Sequence, residues 1–377
     1  MRAACVADFR DHARRRLPRV LFDYIDGGSY AETTLAANVA DLQALRLRQR
    51  VLRDVSKLSL AVELFGQALA MPVILAPVGL AGMYARRGET QAARAAKAAG
   101  VPFCLSTVGV CDVAEVAKAA APPWFQLYMV RDRGFMAEVL ARAREAGSPV
   151  LVFTVDLPVP GARWRDARNG MIAATPGQQL RQALDGVAHP AWLLDVWLGG
   201  RPHSLGSVAA GASDLRRLPD FWKWIGRNFD PSVTWADLAW IRQQWPGPMV
   251  IKGVLDVEDA REAARCGADG LVVSNHGGRQ LDGVSSSIAA LPAIAEAVGG
   301  DLTVLMDGGV RSGLDLLKAL ALGARACLIG RPWAWALGAS GEAGVAALIA
   351  ILRQELRVAM ALTGCTDVRA AGKDLLA

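Results

Sequence analysis

Eight short, continuously apolar runs divide this chain, and they limit what it can fold into. They lie at 72–76, 101–105, 124–128, 150–155, 248–252, 270–274, 303–306 and 326–329, and tend to end in Pro, Gly, Ser, Asn or Asp. Apolar strands of this length suit a sheet buried on both faces, which means a parallel one. Between them lie segments of helical composition at 89–99, 112–120, 135–146, 257–266, 288–298 and 313–322. Several of these end in Ala-Gly, Cys-Gly or Leu-Gly, a common helix stop. The alternation predicts an α/β fold built as a (β/α)8 TIM barrel, with a doubly wound sheet as the alternative. It also predicts a single domain over 1–377: a helical N-terminal extension with a short hairpin over 1–70, the barrel over 71–340 and a C-terminal helical segment over 341–377. The gap between the fourth and fifth runs is too long for a plain crossover. Within it, 175–220 reads as an irregular insertion.

If the chain is a barrel, chemistry belongs at the C-terminal ends of the strands. The first four runs end in Pro77-Val78-Gly79, in Ser106, in Gln126 and Tyr128, and in Thr154 and Asp156 with Arg163 beyond. The fifth run ends at Lys252, the sixth at Ser274-Asn275-His276 with Arg279 close behind, the seventh at Asp307-Gly308-Gly309-Val310-Arg311 and the eighth at Gly330-Arg331. Glycines let backbone N–H groups approach an anion and the two arginines complete a cradle, so the last two loops predict a phosphate site; the alternative is tight loops with solvated arginines. Lys252 could form a Schiff base, bind phosphate or stabilise an anionic cofactor ring. Gln126 and Thr154 suit the edge of a polar heterocycle or are satisfied strand-end residues. His276 fits an acid/base role with Asp156 as its orienting carboxylate, and Arg163 with Arg279 could fork a substrate carboxylate. The bland alternative is a loop histidine beside solvated charges.

Composition removes several function classes. Lys plus Arg is 42 against 36 for Asp plus Glu, a net charge of +6, and the arginines are scattered apart from Arg14-Arg15-Arg16. This speaks against nucleic acid and suits an anionic ligand or membrane surface. Six cysteines, at 5, 104, 111, 266, 327 and 365, form no CxxC pair, which predicts a reduced intracellular protein. His12, His189 and His203 are too dispersed for a metal site, and no GxGxxG motif stands after a strand. The N-terminal residues contain no continuous apolar stretch of the signal-peptide kind. Lys318, Arg325 and Arg331 interrupt the apolar tail over 314–352, so no spanning helix is expected. In the insertion, Trp192, Leu193, Trp197 and Leu198 recur at helical spacing, flanked by Arg181, Arg201, Arg216 and Arg217. That pattern predicts either packing on the barrel or a neighbouring subunit, or contact with lipid headgroups.

The stretch Ser274-Asn275-His276-Gly277-Gly278-Arg279-Gln280 resembles the active-site signature of the FMN-dependent L-2-hydroxy-acid dehydrogenases and oxidases. Phe22-Asp23-Tyr24-Ile25-Asp26-Gly27-Gly28, Trp124-Phe125-Gln126-Leu127-Tyr128, Thr154-Val155-Asp156 and Asp307-Gly308-Gly309-Val310-Arg311 extend the resemblance along nearly the whole chain. Within the family the chain is most similar to the bacterial quinone-linked L-lactate dehydrogenases, through LAPVGLAGMYARRGE, GARWRDARNGM and NFDPSVTWADLAWIR.

The resemblance implies that His276 is the base, paired with Asp156, and that Arg163, Arg279, Tyr24 and Tyr128 contact the substrate. FMN is implied to lie against Pro77, Val78, Gly79, Ser106, Gln126, Thr154, Lys252 and Ser274, with its phosphate at Asp307, Gly308, Gly309, Arg311, Gly330 and Arg331. Gly79 stands where several oxidases carry alanine, which favours a dehydrogenase. The implied reaction is oxidation of L-lactate to pyruvate with electrons passed to a membrane quinone, by a homotetramer attached peripherally to the cytoplasmic face of the inner membrane. An (S)-mandelate or other L-2-hydroxy-acid dehydrogenase and a non-enzymatic membrane-surface barrel are the alternatives.

Overall fold

In the computed structural model, which describes residues 3–171, 174–201, 203–209 and 224–377, all eight apolar runs are strands. A hairpin, β1 (Val62–Leu64) and β2 (Gln67–Leu69), precedes them. The barrel strands are β3 (Val73–Leu75), β4 (Cys104–Ser106), β5 (Trp124–Tyr128), β6 (Leu151–Thr154), β7 (Met249–Val254), β8 (Gly270–Val273), β9 (Thr303–Asp307) and β10 (Ala326–Ile329). Every pairing within the barrel is parallel, β10 returns to β3, and a bridge between Leu75 and Phe103 joins β3 to β4. This is the TIM barrel, not the doubly wound sheet. Helices Gly88–Ala99, Val113–Ala119, Arg133–Glu145, Val257–Arg265, Ser287–Val298 and Gly313–Ala321 occupy the expected positions.

Successive strand residues point to opposite faces, and the period of two sorts this core into two parts. Leu75, Leu105, Phe125, Phe153, Ile251, Val273, Met306 and Ile329 pack outward against the helices. Ile74, Cys104, Val152, Val250, Val272, Leu305 and Leu328 fill the interior. The hairpin closes the N-terminal end: Leu64 and Leu69 join the interior cluster, Phe65 meets the Trp124 ring edge-on at 5.7 Å, and Trp124 Nε1 donates to Gln67 at 3.2 Å. Continuing the same inward row to the other end brings Ser106, Gln126, Thr154, Lys252, Ser274 and Asp307 into one polar layer.

Two expectations need correction. The part of the insertion that is described is helical rather than irregular, with Pro176–Ala188 running into Pro190–Trp192, a π-helical turn Leu193–Leu198 and Gly206–Ala209. Thr175 caps the first helix in a reciprocal box with Gln178. The predicted apolar face also divides. Trp192 is buried with Nε1 donating to Met83 O at 2.8 Å and Leu193 packs on the core, whereas Trp197 and Leu198 are exposed. Arg181 and Arg201 are exposed; Arg216 and Arg217 lie outside the described residues. In the tail, helix Arg331–Thr363 has the length and apolarity of a membrane span, but half of its most apolar window is buried and its backbone breaks at Ser340 and Gly341. It packs on Val6–Arg16 and Gly88–Ala99 as a core helix.

Because the hairpin plug and the polar layer sit at opposite ends, stability and chemistry should separate. Trp124→Ala is expected to destabilise the fold by about 3–5 kcal/mol. In chemical denaturation the midpoint should fall while turnover by the folded fraction stays near wild type; an unchanged midpoint would show that the plug adds nothing.

Candidate active site

The polar layer forms the floor of a cavity of about 1230 Å3, counted out to its mouth. Ser106 donates to Gln126 Oε1 at 3.0 Å, and Gln126 Nε2 donates to Thr154 Oγ1 at 3.0 Å. Beside this chain, Lys252 Nζ lies 3.0 Å from Ser274 Oγ and 2.9 Å from Asp307 Oδ2, while Ser274 Oγ donates to Asp307 Oδ1 at 2.6 Å. Burial alone would lower the Lys252 pKa, but the Asp307 and Asp156 charges raise it above the ordinary lysine value, so the ammonium persists. Thr154, Lys252 and Asp307 border the cavity; Ser106, Gln126 and Ser274 stand directly behind them.

His276 is on the cavity wall with Nδ1 2.9 Å from Asp156 Oδ1. Burial would raise the Asp156 pKa, but the charge of His276, its hydrogen bond and Lys252 hold the carboxyl below its usual value. An ionised carboxylate only accepts, so Nδ1 carries a proton and Nε2 is left for a substrate. The strand end makes the pair possible. β7 shifts register between Lys252 and Val254, and Gly253 there adopts φ +111°. A Cβ on Gly253 would lie 2.6 Å from both Cβ and Cγ of Asp156.

Three segments distant in sequence add further residues to the wall. Tyr24, from helix Arg19–Asp26, lies between two cations, with Arg163 Cζ 5.2 Å and Arg279 Cζ 4.9 Å from its ring centroid. Desolvation, and after it the nearby Arg279 charge, lowers the Arg163 pKa. Arg163 Nε lies 3.2 Å from the buried Asp166 carboxylate, which offsets one of the two charges, and the second enclosed cation favours a bound anion. Arg279 is anchored by donating to the Tyr24 and Gly27 carbonyls at 2.7 and 2.9 Å. Tyr128, on β5, completes the wall, its phenol pKa pushed up by burial and by Asp156.

Pro77, Val78 and Gly79 also line the cavity, as do Asp307, Gly308, Gly309, Arg311, Gly330 and Arg331, and a Cβ on Gly330 would lie 3.9 Å from Val78 Cγ2. The Arg311 guanidinium lies 5.0 Å over the Trp335 ring, and desolvation lowers its pKa to about 10. Arg331 is held well below its ordinary value by desolvation and by the charges of Arg279 and Arg311. Its guanidinium donates to the carbonyls of Asp26, Gly27 and Gly277, tying the N-terminal segment to the histidine loop. The predicted site residues therefore line this cavity or form its floor, except Asp156, which stands behind His276.

Sequence reasoning missed Tyr84, which borders the cavity and donates to Gly79 O at 3.0 Å, and the apolar wall of Val108, Leu157, Ile225 and Phe229. Tyr84, Ile225 and Phe229 lie far from any strand end, and Val108 and Leu157, just past β4 and β6, are apolar and carry no chemical signal.

The sequence profile of the FMN-dependent dehydrogenases matches residues 13–377. The chain belongs to that family. FMN is its cofactor, and the cavity fits it: neutral hydrogen-bonding groups and a fixed ammonium line the floor, and partly desolvated arginines beside a glycine loop offer the phosphate end. An L-lactate dehydrogenase of Caulobacter sp. (strain K31) is 62% identical over 371 residues, covering 98% of this chain and 97% of the relative. That of Chromohalobacter salexigens is 60% identical, covering 98% and 94%. Among solved structures, a monotopic membrane protein, (S)-mandelate dehydrogenase, superposes with TM-score 0.93 at 35% identity over the full length of both chains. A mandelate oxidase with (S)-4-hydroxymandelic acid superposes with TM-score 0.85 at 40% identity, covering 100% of this chain and 98% of the other.

The close approach at Gly253 yields a prediction for this flavoenzyme. Gly253→Ala should displace the Asp156 carboxylate and lower kcat by about 10²-fold, since small misplacements of catalytic groups have effects of that size. Flavin absorbance of the purified protein reports whether FMN is retained; wild-type turnover with FMN bound would show that the Asp156 position is not critical.

Proposed function

We propose that the protein oxidises L-lactate to pyruvate and passes the electrons to a membrane quinone. The observation that carries the reading is that the His276–Asp156 pair, the Arg163–Arg279 pair and the Lys252 ammonium meet at one cavity. In this reading Arg163 and Arg279 hold the substrate carboxylate, and Tyr24 and Tyr128 bound its hydroxyl side. His276 Nε2 takes up the proton that the substrate loses, and Asp156 stabilises the resulting imidazolium. Bound FMN supplies the two-electron acceptor. Pro77, Val78, Gly79, Ser106, Gln126, Thr154 and Ser274 would hold its ring system, and Lys252 would favour negative charge on that ring. Asp307, Gly308, Gly309, Arg311, Gly330 and Arg331 would surround the phosphate.

Relatives near 60% identity carry the L-lactate name, whereas the mandelate enzymes are 35–40% identical, so lactate is the favoured substrate. The Ile225 and Phe229 wall keeps (S)-mandelate as the second reading. Anaerobic bleaching of the flavin by L-lactate but not (S)-mandelate would support the first, and the reverse would support the second. His276→Gln should retain FMN and slow reduction by about two to four orders of magnitude. Near-wild-type reduction would remove His276 from the mechanism.

The insertion supports membrane attachment. Leu180, Leu184 and Val187 share one face of helix Pro176–Ala188, and Leu194, Trp197 and Leu198 stand on the π-helical turn Leu193–Leu198, all exposed. Exposed Arg181 and Arg201 flank them. Apolar side chains beside arginines suit the headgroup boundary, and the superposed (S)-mandelate dehydrogenase is described as monotopic. By the same family resemblance we infer a homotetramer on the cytoplasmic face of the inner membrane. Leu184→Glu combined with Leu198→Glu should release the enzyme from sedimenting membranes and lower its quinone reductase activity while dye reduction persists. Unchanged sedimentation would show that this face is not the anchor.

A further inference from the structure

The loop between β6 and the arginine pair is held by one side chain that no role above uses. Gln280 Nε2 donates to Asp156 O at 2.8 Å and to Val159 O at 3.1 Å, and Gln280 Oε1 accepts from the Gly161 N–H at 3.1 Å. Both amide hydrogens and the amide oxygen therefore act on one segment. Among the described residues, no backbone–backbone hydrogen bond holds 156–161, and Pro158 and Pro160 have no N–H to offer. The loop also runs close beneath its partner: a Cβ on Gly161 would lie 2.4 Å from Arg279 O and 2.9 Å from Gln280 Cα.

We propose that Gln280 is a positioning residue, whose carboxamide latches the β6 loop to the β8 loop and so sets the His276–Asp156 and Arg163–Arg279 pairs together. The topology gives one amide this reach. Asp156 opens the latched loop and Arg163 stands just past its end, while His276 and Arg279 precede Gln280 on the facing loop. The main-chain carbonyl of Asp156 is gripped directly, so the latch acts on His276 through the carboxylate that orients it. Glutamate has the shape of glutamine, but once ionised it has no donor and turns an anion toward two carbonyl oxygens.

This rests on the proposed role of His276. The test measures anaerobic flavin reduction by L-lactate in stopped flow, across the range in which histidine titrates, about pH 5–8. Gln280→Ala should retain FMN, slow reduction at least about tenfold and shift the pH profile of the limiting rate. Gln280→Glu should be similarly slow at neutral pH but regain rate relative to Gln280→Ala on acidification, when a protonated carboxyl restores one donor. A Gln280→Ala enzyme with the wild-type rate and pH profile overturns the proposal. If that variant does not fold, a Gln280→Glu enzyme with the wild-type rate and profile overturns it equally. An active His276→Gln enzyme would instead defeat the functional reading itself, so the two failures are distinguishable.

Discussion

The charged ammonium of Lys252 inside the barrel is the constraint on which the active site depends. Taking an unpaired charge out of water costs several kcal/mol, and such a group ordinarily loses its proton instead. Lys252 keeps its proton because Asp307 and Ser274 contact it and Asp156 adds a second negative field. Lys252 and Asp307 are fixed by strand register, and Ser274 directly follows β8. Lys252 pairs with Thr154 on one side and Val272 on the other, and Asp307 pairs with Leu328, so the inward row stays in step across neighbouring strands. The charges can exist there only because the barrel places their partners at the same height. A one-residue slip would turn that strand's partner out of the row.

The same need to partner buried polar groups explains the N-terminal extension. Helix Arg19–Asp26 brings Tyr24 between two cations, and its carbonyls, with that of Gly27, are taken up by Arg279 and Arg331. The Asp26 carboxylate is chelated from outside by Arg10 and Arg165, at 2.6 and 2.9 Å. Burial would raise its pKa, but these two arginines hold it below the usual range. Its folded value lies below the unfolded one, so this stabilisation is present above the unfolded pKa of about 3.9 and fades as pH falls through the folded value. The extension is therefore part of the active-site wall.

Most of the barrel was legible because its signals are local. Continuous apolar runs mark strands buried on both faces, and the residue that ends each run is aimed by the pleat. Lys252 and His276 were found that way. Tyr24 was not, because nothing in its helix indicates that residues 163 and 279 will close around its ring; only the family resemblance pointed to it. Tyr84 and the Ile225–Phe229 wall arrive by tertiary contact alone. Arg331 read as a phosphate ligand from its position beside Gly330, and sequence could not show that its guanidinium donates to three carbonyls. The insertion misled for a different reason. Its helical spacing was visible, but which side would meet the barrel depends on Met83, over a hundred positions away.

The His-Gly-Gly stretch after β8 combines these constraints in three consecutive residues. His276, Gly277 and Gly278 all have positive φ, at 57°, 64° and 71°. For histidine this conformation is unfavourable, by on the order of 1 kcal/mol or more, and it persists only where the surroundings enforce it. Here the His276 N–H is held by Ser274 Oγ at 3.0 Å, the same hydroxyl that contacts Lys252 and Asp307. At Gly278 there is no room for a side chain, since a Cβ would lie 2.6 Å from the Leu35 nitrogen, whereas one on Gly277 would press on the Arg331 guanidinium, 2.8 Å from Nη1. The left-handed turn reverses the chain as soon as the strand ends. It directs the imidazole to Asp156 and returns Arg279 to the carbonyls of Tyr24 and Gly27. A histidine on a relaxed, extended continuation of β8 would run on along the strand direction, away from the carboxylate, so the backbone strain and the His276–Asp156 pair have a common origin.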